Sequence, residues 1–303
     1  MFKNVLVGVD GGPHGRDAIA LASRLTDPQG KLTLANVDSA GLRPSGAVSP
    51  IYVREEREAS AHMLEEERAA VGAGAGAAEL ITLVGLSPGA TLHLRAEEQQ
   101  ADLLVVGSCS HGTFGRAMLG DDTRAALNGA PCAVAIASVG YAEDPKPIGK
   151  IGVAYNGSPE SNTALAVARE LAAQTDASVR ALEVVSIPTY AFTGVVAAAF
   201  GDGIDEMLKD ANSRLKELPD VDGEAVYGLA GEELAAFGDE VDILIVGSRG
   251  YGPIRRLVLG STSTYLQRHA RCPLLVLPRA AGPHENPTTA GELHAETTAG
   301  AVA

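Results

Sequence analysis

The sequence predicts an α/β fold, a mostly parallel sheet with helices on both faces, present in two consecutive copies. Short β-branched runs such as Val5 to Val9 and Ile243 to Val246 alternate with stretches of helical period. Those runs are apolar on both faces, as strands are when helices cover each side of the sheet. The chain also repeats itself. Asn4-Val-Leu-Val-Gly-Val-Asp-Gly-Gly-Pro13 is echoed by Lys150-Ile-Gly-Val-Ala-Tyr-Asn-Gly-Ser-Pro159, position 4 falling on 150 at an offset of 146. Ala101-Asp-Leu-Leu-Val-Val-Gly-Ser108 matches Val241-Asp-Ile-Leu-Ile-Val-Gly-Ser248 at an offset of 140, which also carries Gly120 onto Gly260 and Cys132 onto Cys272. So long a period marks a duplicated domain and not a solenoid unit.

Taken in order, Val5 to Val9 is the opening strand, and a Gly-Gly-Pro turn leads to Ala18, Leu21, Ala22 and Leu25, spaced as one helical face requires. Pro13 and Pro159 fit the first turn of a helix, where the missing N–H costs nothing, and Ser158 can cap the second copy. Lys31 to Val37 and Ser178 to Val185 read as the second strands. Ile51 to Ala70 is a charged amphipathic helix with a solvated face, ended by Gly72-Ala-Gly-Ala-Gly76 before the strand Leu80 to Val84. That glycine string follows a helix and precedes a strand, the wrong way round for a dinucleotide fingerprint. Each copy closes with a last helix and a strand, Cys132 to Ala137 and Leu274 to Leu277. The expected domains are 1–141 and 148–280, joined near Tyr141 to Gly149 through Pro145 and Pro147. Residues 281–303, rich in Thr, Gly, Ala and Glu without period, read as a disordered tail.

A length of 303 residues suits two domains, each able to bury its own core. With 24 basic against 38 acidic residues the formal charge is −14, which repels phosphate backbones, so general nucleic-acid binding is not expected. The longest apolar runs fall far short of the roughly 20 residues that span a bilayer. The start enters a strand pattern at once, without a targeting sequence, and the three cysteines cannot all pair within the chain. Both features point to the cytoplasm.

Ligands of doubly wound sheets sit at the carboxyl ends of the strands, where strand order reverses. There the second copy reads Gly247-Ser-Arg-Gly250, nine residues, then Gly260-Ser261-Thr262-Ser263. Glycines at the end of a strand offer unscreened N–H groups, and a helix start adds its positive dipole end. Arg249, Arg255 and Arg256 supply charge, with no acid in the loop, and Ser261 and Ser263 can donate to phosphate oxygens.

The spacing Gly-x-x-Gly-x9-Gly-Ser, with Val241-Asp-Ile-Leu-Ile-Val246 ahead of it and Arg268-His-Ala-Arg-Cys-Pro-Leu-Leu-Val-Leu277 behind, resembles the universal stress protein family over Met1 to Pro278. The resemblance implies two tandem Rossmann-like domains of the adenine-nucleotide α-hydrolase-like kind, each with a five-stranded parallel sheet. It implies that Gly247 and Gly250 form the phosphate-side turn, with Arg249 in it, that Gly260, Ser261 and Ser263 meet the phosphates, and that Val246 and Val184 flank the base. Asn156 then stands where ATP-binding relatives hold an aspartate near the nucleoside. In the first copy the matching places are Asp10, Val37, Gly107 and Gly120. That copy departs from the pattern: Ser110 replaces a glycine and Asp121 the phosphate-binding serine. Gly107 to Thr123 carries Arg116 against Asp121 and Asp122, a net −1, whereas Gly247 to Ser263 carries three arginines, a net +3.

The expectation is therefore a regulatory protein that holds ATP, with Mg2+ as an accompanying ion, mainly in its second domain. No catalytic residue and no protein metal site is assigned, and the sequence leaves AMP or cyclic AMP open as competitors. Two alternatives stand beside it: a slow Mg2+-dependent ATP hydrolase using Asp10 or the Asp121 and Asp122 pair, and a ligand-free dimerisation module. Relatives often pair through their last strands, so a homodimer through these strands is one expectation and internal pairing the other. His111 beside Cys109 lacks a third group to orient it, and Cys132 and Cys272 read as core. No P-loop pattern Gly-x4-Gly-Lys-Ser/Thr occurs.

Overall fold

The computed structural model describes residues 1–38, 50–71, 77–108, 128–186, 201–248, 257 and 260–278. In the first half these form β1 (Phe2–Gly8), α1 (Pro13–Leu25), β2 (Thr26–Asp38), α2 (Pro50–Val71), β3 (Glu79–Val84), α3 (Pro88–Glu98), β4 (Leu103–Gly107) and β5 (Ala133–Ala137). The second half repeats the plan with β6 (Lys150–Ala154), α4 (Pro159–Thr175), β7 (Ser178–Val185), α5 (Gly201–Lys216), β8 (Asp222–Tyr227), α6 (Ala230–Phe237), β9 (Ile243–Gly247), α7 (Ser261–His269) and β10 (Leu274–Leu277). The last helix expected in the first copy and the tail 281–303 lie outside the described residues.

The strands form one ten-stranded sheet in the order β3-β2-β1-β4-β5-β10-β9-β6-β7-β8. Every pairing is parallel except the central one, where β5 and β10 run antiparallel with Leu274 opposite Ile136 and Val276 opposite Val134. This corrects the expectation of a homodimer through the last strands: the two copies spend those edges on each other within one chain. Alternate residues feed two apolar layers, and both layers cross the junction. One contains Val5, Val7, Ile19, Leu25, Ile151, Val153, Leu165 and Ile245. The other contains Leu6, Leu92, Leu104, Leu234, Phe237, Leu244 and Leu266. Side chains two apart on a strand share a face, so the period of two in each strand assigns Leu6 and Leu244 opposite to Val5 and Ile245.

The local signals act as their chemistry requires. Pro13 and Pro159 open α1 and α4, and Ser158 Oγ accepts from Ser161 N–H at 3.2 Å. The second strand of the first half begins five residues before the expected Lys31. Phe2 pairs with Thr26 and Asn4 with Lys31, so an irregular bulge in β2 accommodates Asp27 to Gly30. Cys132 and Cys272 are buried, and burial pushes both thiols up to about 12, so they behave as small core hydrophobes.

The linker is fastened by a residue without a counterpart in the second half. Asp17 on α1 is 2% exposed, and its carboxylate accepts from Gly140 N–H at 2.9 Å and from Ala142 N–H at 2.8 Å. The equivalent position, 17 plus 146, is Thr163. Burial raises the Asp17 carboxyl above its ordinary value, outweighing the two N–H donors that favour the charged form. An acid whose folded value is raised stabilises the fold most in its protonated state, and that contribution is lost as pH rises through the folded value. Asp17→Asn is expected to cost about 1–3 kcal/mol, because an amide cannot accept from both N–H groups. The stability gap to wild type should narrow as pH rises from the ordinary carboxyl value of 3.8. Urea unfolding at a series of pH values measures this, and a gap that widens with pH contradicts it.

Candidate functional site

In the second half β6 lies between β7 and β9, so the chain leaves the central strand in opposite directions on its two sides. A crevice opens at the carboxyl ends of such strands. It is a cavity of about 370 Å³, within the size range of small-molecule sites. Its apolar wall comes from Leu182 and Val184 on β7, Leu234 on α6 and Val246 on β9; its polar wall comes from Ser248, Gly260, Ser261, Thr262 and Ser263.

The first turn of α7 faces the cavity. Its N-cap is Gly260, which has no side chain to cap the helix, and the first turn carries no acid. Its leading N–H groups and positive dipole end therefore remain to be satisfied from the cavity side. Ser248 supplies an independent observation. It is 6% exposed, it lines the same cavity, and its buried Oγ has no hydrogen-bond partner among the described residues. A hydroxyl withdrawn from water without a partner costs about 1–3 kcal/mol, which a bound acceptor would recover.

Asn156 lines the cavity from the end of β6. Its Oδ1 accepts from Ser158 N–H at 3.1 Å, closing a tight turn in which Gly157 takes a φ of +75°. The first half repeats the arrangement: Asp10 Oδ1 accepts from Gly12 N–H at 3.0 Å, and Gly11 has a φ of +77°. Side chains of Asp and Asn both make this turn, so the exchange of Asp10 for Asn156 preserves local structure and changes only the charge offered to a ligand.

Gly247 has a packing role that its place in a phosphate motif does not convey. A Cβ there would lie 2.8 Å from Glu160 Cβ and 3.1 Å from the Glu160 carbonyl carbon and oxygen. The glycine lets α4 begin against the end of β9. Gly107 does the same for α1, where a Cβ would come within 2.2 Å of the His14 carbonyl oxygen.

Of the residues singled out in the sequence, Asn156, Val184, Val246, Gly247, Gly260, Ser261 and Ser263 line one cavity. Asp10, Val37 and Gly107 hold the equivalent positions at the strand ends of the first half. Arg249, Gly250 and Gly120 lie outside the described residues, as do Cys109, His111, Asp121 and Asp122. The structure adds residues that no motif marked, Glu160, Ala230 and Leu234, and brings in Tyr155 and Ser248, which the repeats contained but to which no role was given. Glu160 is the one acid among the described residues that line the cavity. Its neighbour Pro159 marks a helix start in the sequence, which was the available signal that its side chain faces the strand ends.

The profile of the universal stress protein family matches residues 1–138 and again residues 147–278. Universal stress protein Rv2005c of Mycobacterium tuberculosis is 28% identical over 287 residues, covering 90% of this chain and 96% of the relative. Universal stress protein MJ0531 of Methanocaldococcus jannaschii is 29% identical over 139 residues, 42% of this chain and 81% of the relative. Among solved structures, a universal stress protein from Archaeoglobus fulgidus superposes with a TM-score of 0.63 at 18% identity, covering 91% of this chain and 98% of that one. Two successive profile matches fall on two halves with the same strand order, and on that ground the chain belongs to the universal stress protein family as a tandem two-domain member.

Proposed function

We propose that this protein is an adenine-nucleotide-binding regulator that holds ATP in the second-domain cavity and couples occupancy to stress adaptation or partner binding. The observation that carries the reading is the start of α7, without a side-chain cap, and the Ser248 Oγ, without a partner among the described residues, both in one cavity with an apolar far wall. Triphosphate oxygens accept from the amides of Gly260 to Ser263 and from Ser248, while the base lies against Val184 and Val246 and the ribose faces Asn156. Arg249 and Gly250 belong to the same reading through the sequence. Magnesium on the triphosphate would lessen its repulsion from Glu160; a divalent ion fits the site as part of the ligand, since the cavity offers it one carboxylate among the described residues. The first domain, with Asp121 and Asp122 in place of the second-domain hydroxyls, is read as nucleotide-poor.

Calorimetric titration of the full chain with MgATP is expected to give about one site per chain, in keeping with one intact motif. Native mass spectrometry of the purified protein should find the same stoichiometry. No bound nucleotide and no heat of binding would overturn the reading. Two sites of equal affinity would overturn the asymmetry between the domains.

A further inference from the structure

Between Gly247 and Gly260 the described residue Leu257 is fastened to the other domain. Leu257 is 0% exposed and shares an apolar layer with Ala130, Cys132 and Val134 of the first half. Its main chain is held in both directions: Gly129 N–H donates to the Leu257 carbonyl at 2.9 Å, and Leu257 N–H donates to the Ala130 carbonyl at 3.0 Å. Gly129 and Ala130 lie just ahead of β5, and Gly129 has a φ of +87°, the left-handed region that glycine tolerates. Leu257 stands three positions before the N-cap of α7.

We propose that Leu257 is a positioning residue for the second-domain ligand site, and that the first domain regulates nucleotide affinity through this bridge. The proposal rests on the nucleotide reading of the cavity. Three residues of chain reach at most about 10 Å, so the anchor restricts where Gly260 and Ser261 stand. The other end of the loop is set at Gly247, which packs on Glu160. Amides that bind an anion act only when held in place, and displacements of about 1 Å are enough to lose much of their effect. Coupling of this kind is reciprocal: a ligand that orders the start of α7 also strengthens the bridge to Gly129. The first domain is then a control element for the site next to it.

The test is calorimetric titration of the full chain with MgATP in wild type, Leu257→Ala, Leu257→Met and Gly129→Ala, beside hydrogen exchange at the Gly129 amide. Gly129→Ala places a side chain where the nearest atom among the described residues is His93 Cε1 at 3.9 Å, while its φ of +87° strains any side chain, so the backbone conformation carries the expected effect. Leu257→Ala is expected to weaken ATP binding at least about tenfold and Gly129→Ala about threefold, whereas Leu257→Met, which keeps the volume, stays within about twofold. ATP should slow exchange at Gly129, a readout that a merely structural role would leave unmoved. Binding by Leu257→Ala and Gly129→Ala within twofold of wild type, with Gly129 exchange insensitive to ATP, overturns the inference and leaves the nucleotide reading standing. Failure of the wild type to bind ATP overturns both. Where Leu257→Ala does not fold, Gly129→Ala and the exchange measurement decide on the same criteria.

Discussion

Ser261→Asp is expected to reduce ATP affinity about a hundredfold while leaving the folded state as stable as wild type or slightly more so. The substitution installs in the second domain the residue type that Asp121 brings to the first. A carboxylate about 4 Å from a phosphate charge repels it by about 4 kcal/mol at an effective dielectric of 20, before salt screening. Screening at the mouth of the cavity leaves about 2.7 kcal/mol, which is the hundredfold. The stability expectation has the opposite sign for a separate reason. Ser261 is exposed and lies in the first turn of α7, whose first turn holds no acid, and a carboxylate there favours the helix dipole by about 0.3–1 kcal/mol. Calorimetry and thermal unfolding on the same variant therefore move apart. Unchanged ATP affinity would remove the start of α7 from the site.

Much of this architecture was legible because strand and helix periods are local. The repeat between Asn4 to Pro13 and Lys150 to Pro159 placed the same strand, turn and helix start in both halves, and Ser158 caps the second as its hydroxyl allows. The cavity was legible in the residues that a contiguous motif carries, from Val246 to Ser263. Of its other walls only Asn156 and Val184 were named, through the family resemblance. Ala230 and Leu234 come from α6, and Glu160 from the first turn of α4, which tertiary packing alone brings to the strand ends. The pairing of β5 with β10 was undecidable for a related reason. An edge strand of this composition, Leu274 to Leu277, pairs equally well with a second copy or with its own duplicate. The anchoring of Gly140 and Ala142 by Asp17 was hidden too, since it depends on contacts 123 and 125 residues apart in sequence. The double role of Gly247 was hidden as well, since a glycine that admits a helix and a glycine that admits a phosphate look alike in a motif.

That second role leads to the largest expected loss of stability, which falls on Gly107 and not on the ligand site. A Cβ at Gly107 would stand 2.2 Å from the carbonyl oxygen of His14, 2.7 Å from its carbonyl carbon and 2.9 Å from its Cβ. The nearest atoms belong to the backbone of the first turn of α1, which cannot rotate aside as a side-chain tip would. Gly107→Ala must therefore displace α1, the helix that contributes Ile19, Leu21 and Leu25 to the core and Asp17 to the linker. Overpacking against a rigid neighbour costs about 3 kcal/mol or more. At about 2–4 °C per kcal/mol for a chain of this size, the midpoint of thermal unfolding should fall by about 6–12 °C. Gly247→Ala meets Glu160 at 2.8–3.1 Å, with a side-chain carbon nearest, so its loss should be smaller although it lies in the cavity itself. Both apolar layers cross between the halves, so the loss from Gly107→Ala should appear as a shift of one transition and not as a separate early melting of the first domain. Thermal unfolding followed by circular dichroism distinguishes these outcomes. A Gly107→Ala protein that melts within about 2 °C of wild type would show that α1 does not press on the end of β4 as described.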